Sequence, residues 1–174
     1  MVGQQTDIFD LGRLMLHSGE GRRLELSTGI DPFAFGGQDY RADPSVAALI
    51  LDVSRTTSGY SLRLRLDVRL QGPCVRCLGE ADHSVGIDAR EVDQPGGGEE
   101  MDSPYVHGDE LDVHAWARDA LVLALPAQIV CSKQCLGLCA ECGANLNEAG
   151  AAHDHDPPVS SRWAVLDELR PRLG

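Results

Sequence analysis

Four cysteines stand close together near the C-terminal end of this chain: Cys131, Cys135, Cys139 and Cys142. Thiolate sulfur is a preferred ligand of zinc, and closely spaced thiolates can surround one ion at a small cost in loop-closure entropy. The last two cysteines have the spacing C-x-x-C, and Gly143 follows them, which permits the tight turn of a zinc knuckle. We therefore predict that these four cysteines bind one structural zinc ion.

Two histidines and a second cysteine pair are further candidate ligands. His153 and His155 follow the cluster, and either could replace one of the four thiolates. Cys74 and Cys77 form another C-x-x-C pair. This pair could complete a two-knuckle ribbon with the last cysteines of the cluster, act as a redox dithiol, or be two partly buried thiols. The redox interpretation is the least favoured, because a thioredoxin-type motif opens a helix, whereas this pair joins two predicted strands.

The sequence carries no recognisable catalytic machinery. Pro73 and the C-x-x-C pair after it resemble part of the zinc deaminase signature, which also needs an upstream His-x-Glu. His17 and Glu20 have the wrong spacing for that motif. A P-loop, a dinucleotide-binding glycine pattern and a nucleophile elbow are also missing. We therefore predict a protein that acts by binding, with no enzymatic activity and no small-molecule substrate.

Charge is unevenly distributed along the chain, whose formal net charge is −12. Such a balance argues against non-specific binding to nucleic acid, because phosphate contacts need Lys and Arg. From Glu91 to Asp112 the chain has no Lys or Arg. The acidic residues of this stretch are Glu91, Asp93, Glu99, Glu100, Asp102, Asp109, Glu110 and Asp112. Together with the three glycines at 96–98, they predict a solvated acidic linker over residues 93–110.

A local positive surface opposes this acidic total. Arg63, Arg65 and Arg69 share the polar face of one predicted strand, and Arg76 lies in the adjacent C-x-x-C pair. An ordinary charged solvent-facing surface is the favoured interpretation. The functional alternative is a small platform that binds phosphate groups through guanidinium hydrogen bonds.

The elements that position these residues follow from hydrophobic periodicity. Apolar and polar residues alternate strictly over 60–71, which predicts a long strand with one polar face, as in an antiparallel sheet covered on one side. Weaker patterns predict strands over 24–26, 49–53 and 83–92, and a hairpin connection over 72–81. Gly and Pro residues predict a loop over 29–41. A short helix is predicted over 10–16, and an amphipathic helix over 111–125 that ends at Pro126.

These elements predict an α+β fold: an antiparallel sheet with a packed helix and a small C-terminal zinc knuckle. The first predicted unit, residues 1–127, contains the sheet, the acidic linker and the helix. The second, residues 128–174, contains the cysteines and a last helix that begins near Ser160 or Ser161 and buries Trp163, Leu166 and Leu169. The chain has no apolar stretch of about 20 residues and no signal peptide. We therefore expect a cytoplasmic protein whose cysteines bind metal rather than form disulfides.

Several motifs in this order resemble the bacterial YceD-like family of large ribosomal RNA subunit accumulation proteins. They are Pro73-Cys74-x-x-Cys77-Leu78, the acidic stretch, the helix that ends in Leu121-Val122-Leu123-Ala124-Leu125-Pro126, and the segment Cys135-Leu-Gly-Leu-Cys139-x-x-Cys142-Gly143-x-Asn145-Leu146-Asn147. Many family members have a Cys-x-Cys pair where this chain has His153-Asp154-His155, so the resemblance supports these histidines as ligands. The resemblance covers about residues 9–169.

The resemblance implies a non-catalytic role in the accumulation or processing of large-subunit ribosomal RNA, and so in ribosome assembly. The expected partners are ribosomal precursor particles. The acidic linker would bind basic ribosomal proteins, and the arginine face would be a lesser contact to ribosomal RNA. The alternative from the residues themselves is a zinc-ribbon regulator that binds protein or DNA in transcription. Direct DNA binding is disfavoured, because Lys133 is the sole Lys or Arg within 131–147.

Overall fold

The computed structural model describes residues 5–98, 101–150 and 152–155. Antiparallel sheets dominate this part of the chain, with few helices, as the periodicity predicts. In chain order the elements are β1 (Ile8–Asp10), a 3₁₀ turn (Gly12–Leu14), β2 (Gly21–Gly29), β3 (Phe33–Phe35), β4 (Gln38–Ala42), β5 (Val46–Arg55), β6 (Tyr60–Pro73), β7 (Glu80–Asp93), β8 (Val106–His107), β9 (Glu110–Asp112), α1 (Val113–Ala124) and α2 (Leu146–Ala149).

Strand β6 is the centre of the larger sheet. β7 pairs with it antiparallel over its whole length, from Tyr60 opposite Asp93 to Pro73 opposite Glu80. On its other edge, β6 pairs first with β5 and then, near its end, with β4. The sheet order is β2, β5, β6, β4 and β3, with β7 beside β6. The smaller sheet has the order β1, β9 and β8.

One face of the larger sheet forms the core, because period-two alternation places the leucines of β6 on the same side. Leu64 and Leu70 are fully buried there. Helix α1 lies against β7 and β2, and its apolar stripe, which includes Trp116 and Leu121, joins the same core cluster. Asp112 caps the helix, and its side chain accepts a hydrogen bond from the backbone N–H of Ala115 at 2.8 Å. The helix predicted over 111–125 is therefore confirmed.

Three segments differ from the prediction. The loop predicted over 29–41 contains β3 and β4, because the rings of Phe33 and Phe35 pack near Tyr40, with centroids 6.3 and 6.4 Å apart. Only a 3₁₀ turn forms in the helix predicted over 10–16. The stretch predicted as a linker over 93–110 begins inside β7 and contains β8, and the backbone N–H of Ser103 donates to the buried carboxylate of Asp93.

The predicted C-terminal helix, with Trp163, Leu166 and Leu169, lies outside the described residues. Within the described part of the chain, no helix is long and apolar enough to cross a membrane.

The connection between β6 and β7 carries the first cysteine pair. Gly72 lets the end of β6 pass close to the ring of Tyr40, since a Cβ at this position would overlap that ring. The Tyr40 hydroxyl donates to the carbonyl of Pro73 at 2.8 Å. Leu78 then turns the chain with a left-handed backbone (φ 57°), a conformation rare for a residue with a bulky side chain. The long hairpin thus holds two thiols at its tip.

Candidate metal centres

The tip of the hairpin meets the C-terminal segment in a first group of ligands, here called the four-cysteine cluster: Cys74, Cys77, Cys131 and Cys135. Their sulfur atoms all lie within 4.8 Å of one another. Cys74 Sγ lies 3.7 Å from Cys135 Sγ, and Cys77 Sγ lies 3.6 Å from Cys131 Sγ. A disulfide needs about 2.05 Å. Tetrahedral zinc with bonds of about 2.3 Å places sulfurs about 3.8 Å apart, so the cluster fits such an ion.

Backbone hydrogen bonds hold the two halves of the four-cysteine cluster together. The N–H of Val75 donates to the carbonyl of Ile129 at 3.0 Å, and Ile129 is fully buried. The N–H of Leu138 donates to the carbonyl of Arg76 at 3.2 Å. The guanidinium of Arg76 also donates to the carbonyl of Cys135 at 3.3 Å. The hairpin tip is therefore fastened on both sides of its cysteine pair.

Hydrogen-bond donors around the cluster favour the thiolate form of two cysteines. Burial raises the pKa of Cys74, but backbone donors, including the N–H of Arg76 at 3.4 Å from its sulfur, outweigh this and lower the pKa to about 6. The Asn147 side chain donates to Cys135 Sγ at 3.4 Å and lowers the pKa of that thiol. Such donors are typical of metal-bound thiolates, because they offset the negative charge on sulfur.

The pKa values of the other two thiols of the cluster are shifted upward. Hydrogen bonding to Cys135 is the largest cause that raises the pKa of Cys131, to about 12, and the pKa of Cys77 is also raised. Hydrogen bonds to neighbouring sulfurs favour the protonated form of Cys131 and Cys77, and the charge on Cys74 adds to this at Cys131. A divalent cation at the centre would favour the thiolate form of all four sulfurs, because it offsets part of their negative charge. The donor set therefore suits a metal ion and is compatible with zinc.

A second group, here called the cysteine-histidine cluster, consists of Cys139, Cys142, His153 and His155. Its four ligand atoms also lie within 4.8 Å of one another. The Nε2 atom of His155 lies 3.1 Å from Cys139 Sγ, and the Nε2 atom of His153 lies 3.4 Å from Cys142 Sγ. Backbone hydrogen bonding from Cys142 is the largest cause that lowers the pKa of Cys139, to about 6. This cluster could also hold a metal ion.

A tight knuckle and a short helix position the cysteine-histidine cluster. Gly143 has a left-handed backbone (φ 73°), and its N–H donates to the carbonyl of Cys139 at 2.9 Å. This is the turn for which a glycine after C-x-x-C is suited. Asn145 then caps α2, and the N–H of His153 donates to the carbonyl of Gly150 just after that helix. Helix α2 and the turn after it therefore place the two histidines next to Cys139 and Cys142.

The structure divides the four predicted zinc ligands between two clusters. Cys131 and Cys135 join the hairpin pair, whereas Cys139 and Cys142 join the two histidines. The turn at Gly137 separates the pairs, with a left-handed backbone (φ 81°). The four-cysteine cluster therefore takes its ligands from both sides of the predicted boundary at residue 127.

Three contributing residues were not recognised as such in the sequence. Asn147 bonds Cys135, Asn145 caps α2, and Glu141 lies near His155. The pairing of the hairpin with Cys135 had one sequence signal. Cys-Leu-Gly occurs twice, at 77–79 and at 135–137, and these are the two turns that meet.

The arginine face is charge-compensated. Arg63 pairs with Asp88, Arg65 with Asp52 and Arg69 with Asp82, at 2.5, 2.7 and 3.1 Å. Arg76 donates to the carbonyl of Cys135 and to the side chain of Gln128. Each guanidinium already has an acceptor, and three of the acceptors are carboxylates that repel phosphate. The contacts therefore favour the ordinary charged surface over the alternative of a phosphate-binding platform.

The chain is similar to one protein family and to several mycobacterial proteins. The family model described as "Large ribosomal RNA subunit accumulation protein YceD" matches residues 62–170, a range that includes both clusters. The uncharacterized proteins Mb2951c of Mycobacterium bovis and Rv2926c of Mycobacterium tuberculosis (strain H37Rv) are each 30% identical over 175 residues. Each match covers 94% of this chain and 80% of the relative. No solved structure matches. The chain therefore belongs to the YceD family of large ribosomal RNA subunit accumulation proteins.

Proposed function

We propose that the protein is a non-catalytic factor in the accumulation of large-subunit ribosomal RNA and in ribosome assembly. The observation that carries this proposal is the family match over residues 62–170, whose description names large ribosomal RNA subunit accumulation. Each cluster offers four protein ligands to one centre. A full tetrahedral set of protein ligands leaves no position for a substrate, which supports a structural role for bound metal.

We assign a structural zinc ion to the four-cysteine cluster, with Cys131 and Cys135 as two of its ligands. Zinc would offset part of the negative charge on the thiolates and join residues far apart in the sequence, as structural sites do in small domains. The support comes from the sulfur separations of 3.6 and 3.7 Å and from the donors to Cys74 and Cys135.

A thiol redox protein is the second candidate, because the pKa of Cys74 is lowered to about 6. A redox thiolate must reach its partner, however, and Cys74 is 0% exposed. Thiolate absorbance titrated in zinc-loaded and zinc-free protein separates the two functions. A structural site shows no titrating Cys74 thiol while the metal is bound, whereas a redox site shows one in both forms.

The acidic stretch is the part of the surface that we propose binds basic ribosomal proteins. Some of its carboxylates have internal partners: Asp93 accepts from Ser103, Asp109 accepts from the Tyr60 hydroxyl, and Asp112 caps α1. Asp102 and Glu110 are exposed, and their carboxylates have no hydrogen-bond or ion-pair partner within the described residues. These two can therefore attract a basic partner without loss of internal bonds.

The test has a genetic arm and a binding arm. In cells that lack the protein, we expect the ratio of large-subunit to small-subunit ribosomal RNA to fall and wild-type protein to restore it. Purified Asp102→Asn/Glu110→Gln protein should co-sediment less with large-subunit precursor particles than wild type does. The matched control is Glu25→Gln/Asp67→Asn. It changes the net charge by the same amount, but on the surface of the larger sheet that also carries Arg65. An unchanged RNA ratio would refute the function, and equal binding by both variants would refute the proposed surface.

A further inference from the structure

We propose that the cysteine-histidine cluster is a second, separate zinc site, so that each chain binds two zinc ions. It shares no ligand with the four-cysteine cluster. Its donors are two thiolates and two imidazoles, a set that is common in structural zinc sites. This inference does not depend on the role in ribosomal RNA accumulation.

The convergence of four donor atoms is the first observation that carries the inference. The Nε2 atoms of His153 and His155 lie 2.9 Å apart, and each also faces a cysteine sulfur. Tetrahedral zinc separates two such nitrogens by about 3.3 Å, and a nitrogen from a sulfur by about 3.6 Å. The cluster therefore needs to open by a few tenths of an ångström to admit the ion.

The orientation of His155 is the second observation. Its Nε2 atom faces the cluster, while Nδ1 lies 3.6 Å from a carboxylate oxygen of Glu141. A carboxylate near the far nitrogen is a common outer-shell partner of a histidine whose other nitrogen binds metal. Glu141 lies between the two cysteines in sequence, so the knuckle supplies both ligands and the carboxylate that lies near a histidine.

The two clusters differ in exposure, and this predicts different rates of metal release. Three of the four ligands of the four-cysteine cluster, Cys74, Cys77 and Cys135, are buried, and Cys131 is exposed. In the cysteine-histidine cluster, Cys142 is exposed and the other three ligands are half-buried. A chelator can approach the exposed site more readily, so we expect release of zinc in two phases, with the ion of the cysteine-histidine cluster in the fast phase.

The experiment counts zinc in the full chain, purified without chelator. Wild type should contain two ions per chain, and His153→Ala/His155→Ala should contain one and lose the fast phase of release to a chelator. The control is His83→Ala/His107→Ala, which removes two histidines outside the clusters and should keep two ions.

A ligand exchange separates loss of the site from loss of the fold. His153→Cys/His155→Cys should keep two ions, because thiolate replaces imidazole as a zinc ligand. With cobalt(II) as the probe, the thiolate-to-metal charge-transfer absorbance of His153→Cys/His155→Cys should exceed that of wild type, because two more thiolates bind the ion. One ion per chain in wild type, or two ions in His153→Ala/His155→Ala, would overturn the inference.

Discussion

Asn147 connects the two clusters, and its replacement gives the sharpest prediction. This residue lies on α2, directly after the knuckle of the cysteine-histidine cluster, yet its side chain donates to Cys135 Sγ of the four-cysteine cluster at 3.4 Å. It also accepts from the N–H of Leu136 and donates to Asn145, both at 2.8 Å. Asn147→Ala removes all three bonds.

The magnitude follows from what each bond does. Loss of an outer-shell partner lowers metal affinity by about 10- to 100-fold. Only one of the three bonds of Asn147 reaches a ligand, so we expect about a tenfold loss of zinc affinity at the four-cysteine cluster. The other two bonds are exposed, and at the lower end of about 0.5–1.5 kcal/mol each they should lower the free energy of unfolding by about 1 kcal/mol.

The assay is equilibrium competition against a zinc chelator, in protein that also carries His153→Ala/His155→Ala, so that the zinc measured is the ion of the four-cysteine cluster. Gln134→Ala is the matched control, because this exposed amide in the same segment has no described partner and should leave affinity unchanged. Asn147→Asp should be worse than Asn147→Ala, since a carboxylate in place of the amide donor repels the Cys135 thiolate. Wild-type affinity in both Asn147 variants would show that the bond to sulfur has no energetic role.

Three further changes test the sheet and its charges. The Arg23 guanidinium bonds Asp52 and lowers the pKa of that carboxyl, so the stability that Asp52 adds is present above about pH 4 and is lost at lower pH. Asp52→Asn should therefore cost about 1 kcal/mol at pH 7 and almost nothing at pH 2, measured by urea unfolding against wild type at each pH. Burial raises the pKa of Glu91, so Glu91→Gln should raise the urea midpoint at pH 7 but not at pH 4, where the carboxyl binds its proton; an equal rise at both would contradict this. Gly59→Ala should cost about 1–3 kcal/mol in thermal unfolding, because its Cβ would overlap the carbonyl oxygen of Asp93, and an unchanged melting temperature would contradict that contact.

The sequence was sufficient to predict the elements whose patterns are long. Strict alternation over 60–71 lies within β6, and the apolar stripe over 111–125 contains α1. The sequence did not predict the short strands β3 and β4, because Gly and Pro interrupt the pattern around them. Their stability comes from Phe33 and Phe35 packing near Tyr40, which propensity does not show.

The candidate site was predictable in residue type but not in pairing. Cysteines and histidines at these spacings indicate metal binding, yet which sulfur meets which depends on where the β6–β7 hairpin ends in space. The division of the chain at residue 127 stays a prediction.

The distance in sequence between Cys74 and Cys135 has a consequence for the order of folding. These thiols are 61 residues apart, and Cys74 lies at the tip of the hairpin that β6 and β7 form by pairing. In an unfolded chain, loop closure instead favours the four neighbouring cysteines from Cys131 to Cys142 as the first set around an added ion. Metal that arrives before the hairpin forms must then exchange its ligands, so zinc added after the sheet has folded should give native protein faster than zinc present from the start.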